Sequence, residues 1–241
     1  VSYHRALLIF AEERPDPYHT TVTPQVLADH LATSDLDVTV ARTAAGVSAE
    51  ALAAADLLVL WMLVGEGCQA AFERLRAQVQ AGTPLLSVHT ALWCATPGGQ
   101  AMAFGGPYRG HPPYQRFRVT IDQPEHPIVA GVTDFDITDE PYQIDHGPDV
   151  TVLAHTDGTR IATTWHDQDR HDPWMVECDT WTRSHTFLPL VYLKPLGRGW
   201  VVGQALGHDA TALAQPAVRG ITAQAVAWLL DRREREHGRE S

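Results

Sequence analysis

Apolar and polar positions follow two different periods along the first part of the chain, and each period predicts an element. Ala6 to Phe10 is a short apolar run and reads as a strand. Thr23-Pro24 then opens a helix through about Leu31, with proline at an early helical position where no hydrogen bond is lost. Val38 to Ala41 predicts a second strand, and Ser48 caps a short helix over Ala49 to Ala54. After Asp56, Leu57 to Trp61 are apolar without a break, as expected of a strand buried on both faces of a parallel sheet. From Cys68 to Ala81, Ala71, Leu75 and Val79 recur at a spacing of four on one helical face, and Gly82 stands at its end. Leu85 to Val88 is the next buried strand. Repeated strand–helix units in this order predict an α/β fold: a doubly wound, mostly parallel sheet with helices on both faces and right-handed crossovers.

The second half is less regular. Gly98-Gly99, Gly105-Gly106-Pro107 and Pro112-Pro113 mark a long loop region. Phe117 to Ile121 alternates and predicts a strand of the edge or antiparallel kind. Thr151 to Ala154, Pro189 to Leu193 and Trp200 to Ala205 are further strands. A closing helix from about Ile221 to Arg235 places Val226, Leu229 and Leu230 on its buried face. The charged stretch Arg232 to Ser241 is expected to fray. With no internal repeat and no linker, residues 1–241 read as a single domain.

A hydrophobic content of 44% supplies ample core, and a net charge of -11 argues against nucleic acid or an anionic membrane as partner, since both demand a basic face. No apolar run approaches the roughly 18 residues that would span a bilayer. The first apolar run, Ala6 to Ala11, is too short for a signal-peptide core. Cys68, Cys94 and Cys178 are odd in number and widely spaced, and read as thiols of a reducing compartment. The expected location is therefore the cytoplasm. The 13 histidines are the compositional anomaly, and their positions decide what they mean.

In an open parallel sheet, ligands bind outside the carboxyl ends of the strands. His89 directly follows Leu85 to Val88, and His208 follows the last strand in Leu206-Gly207-His208-Asp209. His19 lies beyond the loop after the first strand, and His111 in the loop region after the His89 unit. Asp139 and Glu140 fall in an irregular segment, Thr138 to Tyr142. Imidazoles and a carboxylate gathered in one cleft suit two roles. They can hold a transition metal, or serve as general acid and base near neutral pH. Spacing alone does not choose, and there is no HExxH; for each histidine a hydrogen-bonded loop or cap role is the alternative. Ser87 and Thr90 flank the His89 elbow without a GxSxG pattern, which favours structural hydrogen bonding. Cys94 reads as a buried thiol rather than a nucleophile, and Asp122 with His126-Pro127 frames a turn. Trp93, Tyr108, Tyr114 and Tyr142 suit either the walls of a sugar pocket or ordinary core packing.

These positions form an ordered series: Leu86-Ser87-Val88-His89-Thr90-Ala91, Gly105-Gly106, His111-Pro112 with Gln115, Val119 and Asp122, and His126-Pro127-Ile128 with Gly131. Asp139-Glu140 with Tyr142, Leu196-Gly197-Arg198-Gly199-Trp200-Val201 and Leu206-Gly207-His208-Asp209 complete it. In this order the chain resembles the ThuA-like, trehalose-utilisation family over most of its length. The resemblance implies a flavodoxin-like fold of the class I glutamine amidotransferase kind. In those enzymes a cysteine nucleophile occupies the elbow that here holds His89, so glutamine hydrolysis through a thiolate is not expected. It also implies processing of disaccharides or their 3-keto derivatives, with a divalent metal. Two departures stand out. Thr90 replaces the usual serine after the elbow histidine, and residues 159–187 read as an insertion carrying Trp165, His166, His171, Trp174, Cys178, Trp181 and His185.

The expectation is an enzyme of sugar metabolism acting by isomerisation, elimination or hydrolysis. His89, Glu140 and His208 are its expected catalytic groups, and His89, His111 and His208 its ligands to a divalent metal, zinc first. His19, Asp139, Tyr142, Trp93 and Asp209 are the expected sugar contacts. No nucleotide cofactor is expected, and an apolar helix face or the insertion would serve a homo-oligomer. The alternatives are a non-catalytic carbohydrate-binding or regulatory protein on the same scaffold, or, third, a thiol hydrolase using Cys94.

Overall fold

A computed structural model of the chain describes residues 4–11, 19–31, 36–94, 104–163 and 180–237. Strand β1 (His4–Ala11) is followed by helix α1 (Pro24–Leu31) and strand β2 (Leu36–Ala41), which pairs in parallel on one side of β1. Helix α2 (Ala49–Ala54) then crosses to β3 (Leu57–Leu63) on the other side of β1, also in parallel. Ser48 accepts the Ala51 N–H at 3.1 Å to start α2, as its position predicts. All seven residues of β3 are buried, which is why its sequence is apolar throughout. Helix α3 (Cys68–Gln80), with Ala71, Phe72, Leu75 and Val79 buried, leads to β4 (Leu85–Val88) and the short α4 (Thr90–Cys94).

The middle of the chain adds β5 (Tyr108–Gly110), β6 (Gln115–Ile121), β7 (Phe135–Asp139), β8 (Gln143–Ile144) and β9 (Thr151–Thr156). Then come β10 (Leu188–Leu196), β11 (Gly199–Gln204), α5 (Ala210–Ala214) and α6 (Pro216–His237). Nine strands form one sheet in the order β2-β1-β3-β4-β11-β10-β9-β6-β7. The first five in that order run parallel, and the remaining four pairings are antiparallel. Helices α1 and α6 pack on one another, as do α2 and α3. That pairing is what a doubly wound sheet produces when its winding reverses between β1 and β3.

Several sequence expectations shift. The segment Thr138 to Tyr142 is irregular only in part: Thr138 and Asp139 end β7, a short strand of alternating burial, and Glu140 to Tyr142 follow it without regular structure. Strand β6 is antiparallel as expected but is not the edge, because β7 lies outside it. Helix α6 begins at Pro216, a turn earlier than about Ile221, and runs through the charged stretch to His237. The insertion residues Trp165, His166, His171, Trp174 and Cys178, and Gly98-Gly99, lie outside the described residues.

The two halves interlock at β10 and β11. Tyr192 is fully buried, donates its hydroxyl to the Phe104 carbonyl at 2.9 Å, and lies opposite Gly203 in the register. A Cβ at position 203 would overlap the Tyr192 ring, so glycine there is a packing requirement.

Candidate functional site at the carboxyl ends of the strands

Strands β1, β3, β4 and β11 point the same way, and the alternating directions of β10, β9, β6 and β7 bring the carboxyl end of β7 to that same edge. The loops after β1, β4, β11 and β7 therefore converge. They carry His19, His89, His208 and Glu140.

His89 forms the sharpest corner. Its φ is 42°, in the left-handed region, and it is the only non-glycine among the described residues with a positive φ. That conformation costs about 1–2 kcal/mol for an L-residue and is held here by its neighbours. The His89 N–H donates to the Gln204 carbonyl at 2.8 Å, and the Thr90 hydroxyl donates to the Trp61 carbonyl. Nδ1 of His89 lies 2.7 Å from the Ala205 carbonyl. A carbonyl only accepts, so Nδ1 carries the proton and the Nε2 lone pair points into the pocket. Nε2 is buried, has no hydrogen-bond partner, and stands 3.8 Å from Glu140 Oε2.

Glu140 occupies the centre. Its Oε2 is 2.9 Å from His208 Nδ1, a contact poorly aligned for a hydrogen bond, and its Oε1 is 3.5 Å from His111 Nδ1. The His19 ring lies 4.7 Å from that of His208 and 5.4 Å from that of His89. One donor atom each from His19, His89, Glu140 and His208 falls within 4.8 Å of the others. A buried His89 ring nitrogen without a hydrogen-bond partner, two further imidazoles and a carboxylate form a donor set that can hold a divalent metal ion.

Electrostatics follow from burial and from Glu140. Burial lowers His89 to about 4, against the pull of the carboxylate, so its imidazole is neutral. Burial lowers His111 as well. For His208 burial would do the same, but contact with Glu140 outweighs it and the net shift is upward. Burial would raise Glu140, yet the imidazoles of His208, His89 and His111 hold it well below the usual carboxylate range. Burial pushes Asp139 up to about 7, opposed by backbone N–H donors.

The sequence-predicted residues divide. His89, His208, His19 and Glu140 come together. His111 faces the other oxygen of Glu140 and stands outside the four-donor group, while His19 stands inside it. The Tyr142 ring lies 3.8 Å from the His89 ring and 5.1 Å from that of His111. Asp139 is fully buried, with both oxygens taken by backbone N–H groups. Asp209 caps α5 through Ala212 at 2.7 Å and accepts the Tyr114 hydroxyl at 2.9 Å. Trp93, on α4, is 43% exposed, and no hydrogen bond or ring contact among the described residues ties it to the four. Trp61, at the end of β3, stacks on His89 with centroids 6.0 Å apart. In the sequence Trp61 is one more residue of an apolar run, and its place near the carboxyl end of β3 is the signal of its nearness to the site.

Fold and site together define a doubly wound, flavodoxin-like α/β protein with a histidine–carboxylate pocket beside its topological switch point. The chain belongs to the ThuA family, described as trehalose utilisation, whose model matches residues 6–229. No curated protein sequence matches it. Among solved structures, it is similar to a protein described as ThuA-like from Bacteroides uniformis ATCC 8492, at 15% identity and a TM-score of 0.71, covering 95% of this chain and 92% of that one. A second such protein, from Parabacteroides merdae ATCC 43184, matches at 16% identity and a TM-score of 0.71, covering 95% and 90%. A β-galactosidase from Bacillus circulans sp. alkalophilus matches at 12% identity and a TM-score of 0.59, covering 97% of this chain but 31% of the enzyme. At such identities the likeness is one of fold. No helix among the described residues is long and apolar enough to cross a membrane.

Proposed function

We propose that this protein is a cytoplasmic enzyme of sugar metabolism that acts on a disaccharide or its 3-keto derivative. Its site is metal-dependent, with His19, His89, His208 and Glu140 holding the ion. The observation that carries this reading is the convergence of those four donors, among them the buried His89 Nε2, which has no hydrogen-bond partner. Imidazole with one carboxylate suits zinc. When bound, such an ion supplies a Lewis acid for a substrate carbonyl.

The chain's own groups supply the proton chemistry. Glu140 turns Oε2 toward His208 and His89, which leaves Oε1 on the His111 side. Oε1 is the atom placed to take a proton from the carbon beside a ketone. The C–H electron pair then enters the new C=C bond as the C=O pair moves onto oxygen. Transfer of the neighbouring hydroxyl proton to the enolate oxygen, with protonation of the former carbonyl carbon as the hydroxyl oxygen becomes the new carbonyl, completes an isomerisation. Re-formation of the carbonyl with loss of a glycosidic oxygen β to it, which leaves as the alcohol on taking up a proton, completes an elimination. His111 faces Oε1 and is kept neutral by burial, so it can receive that proton and return it.

Metal analysis of purified protein tests the reading, repeated for His89→Ala and His208→Ala. One divalent ion per chain is expected in wild type and loss of stoichiometric uptake in both variants. With a 3-keto disaccharide as substrate, Glu140→Gln is expected to lower kcat about 10²–10⁴-fold. Absence of stoichiometric metal in wild type defeats the metal part. Binding without turnover makes the protein a carbohydrate-binding module instead.

A further inference from the structure

The geometry points to Asp139 as a positioning residue, one that sets the distance between Glu140 and His208 rather than touching substrate. This rests on the reading of the pocket proposed above. Strand β7 and strand β11 are four places apart in the sheet, roughly 19 Å if the sheet were flat. Yet the residues that follow them, Glu140 and His208, meet at 2.9 Å. Something must close that gap and hold it closed.

Asp139 does so with its carboxylate. Oδ2 accepts the Gly207 N–H at 2.7 Å, and Oδ1 accepts the His208 N–H at 3.0 Å and the Glu140 N–H at 2.8 Å. One buried side chain thus fixes the backbone on both sides of the pocket. Gly207 takes φ of 122°, a conformation that turns its N–H inward and that L side chains avoid. Strand β7 also packs on α5, which begins two residues after His208. Asp139 is 0% exposed, so it is closed to a sugar hydroxyl. The sequence expectation that it binds substrate gives way to this role.

Asparagine in its place keeps one acceptor oxygen and turns an N–H₂ toward a backbone N–H, so one of the two attachments is lost. The test measures zinc affinity of the full chain by competition with a chromophoric chelator. Wild type, Asp139→Asn, Glu140→Gln and the double variant are compared. Asp139→Asn is expected to weaken zinc about 10–100-fold, the usual effect of losing an outer partner of a ligand. The same change is expected to matter far less once Glu140→Gln is in place, because it acts through that carboxylate. In metal-free protein, amide NMR shifts should move at Glu140, Gly207 and His208 and stay in place along β1 and β3.

Unchanged zinc affinity with a raised KM for a 3-keto disaccharide would make Asp139 a substrate contact and overturn the inference. Fully additive losses in the double variant, or collapse of the whole spectrum in Asp139→Asn, would overturn it too, the latter by making Asp139 a brace of the fold. If wild type takes up no zinc, the proposed function fails and the amide shifts alone decide: confined changes uphold positioning, and spread changes reject it.

Discussion

The two halves of the sheet contribute differently to one pocket. The parallel half is built from apolar strands, β3 and β4 being wholly buried, and it presents His89 from a strained corner and His208 from the loop after β11. The antiparallel half ends in β7, a short strand of alternating burial whose exposed positions are Asp136 and Thr138, and it presents Glu140. His89 and His208 thus stand on the deeply packed side, and Glu140 is delivered by the lighter side. Both halves therefore supply groups to the site, but only the parallel half supplies them from wholly buried strands.

Cutting into the parallel half is expected to have the largest effect on stability. Leu60, fully buried in β3, should lose about 2–5 kcal/mol on substitution by alanine, measured by urea unfolding. The remaining folded fraction should keep its metal stoichiometry. A loss of metal without a loss of stability would mean that the halves are not separable in this way.

Acid is expected to weaken the same half. His30 lies between α1 and α6, with Nε2 2.9 Å from the Thr222 hydroxyl, and burial together with Arg219 lowers it to about 4. Between pH 6.5 and about 4 the unfolded chain binds a proton that the folded chain does not. Stability is therefore complete above pH 6.5 and falls as the pH drops toward 4, by on the order of 2–3 kcal/mol. His30→Gln should flatten this slope in melting curves taken across that range. A slope left unchanged by the substitution would assign it to other groups.

A smaller effect sharpens the elbow. At φ of 42°, glycine avoids a Cβ strain that alanine keeps, so His89→Gly should be more stable than His89→Ala by about 1 kcal/mol, with metal uptake lost in both. Equal melting temperatures would show that the corner is not strained. Least of all should come from the ladder on β6 and β7, where Arg118 faces Asp136 at 3.5 Å and Asp134 at 3.8 Å in solvent. Arg118→Ala should change unfolding free energy by less than about 1 kcal/mol.

The same contrast explains what was legible in the sequence. The buried parallel strands announce themselves as apolar runs, and Ser48 or Gly82 mark helix ends by local chemistry alone. His89 and His208 were found because each follows such a run directly. Strand β7 has only Phe135 and Ile137 as apolar residues among five, too few to stand out, so the sequence does not show that Asp139 ends a strand. His19 joins the four-donor group and His111 stands outside it, a difference set by three-dimensional placement that no local spacing encodes. The role of Asp139 is longer in range still, since its partner Gly207 lies 68 residues away.

Strand β7 has a single strand neighbour, and Asp139 and Glu140 ride on its tip. Edge elements open at lower free energy than central ones. Peeling this strand would carry the carboxylate away from His89 and His208 while the parallel half stayed folded. A ligand that needs all of these groups would oppose that opening, by about 2.7 kcal/mol at a hundredfold excess over its Kd. Occupancy of the pocket and closure of the sheet margin then become one equilibrium, and slowed amide exchange along β7 would report a filled site without any assay of turnover.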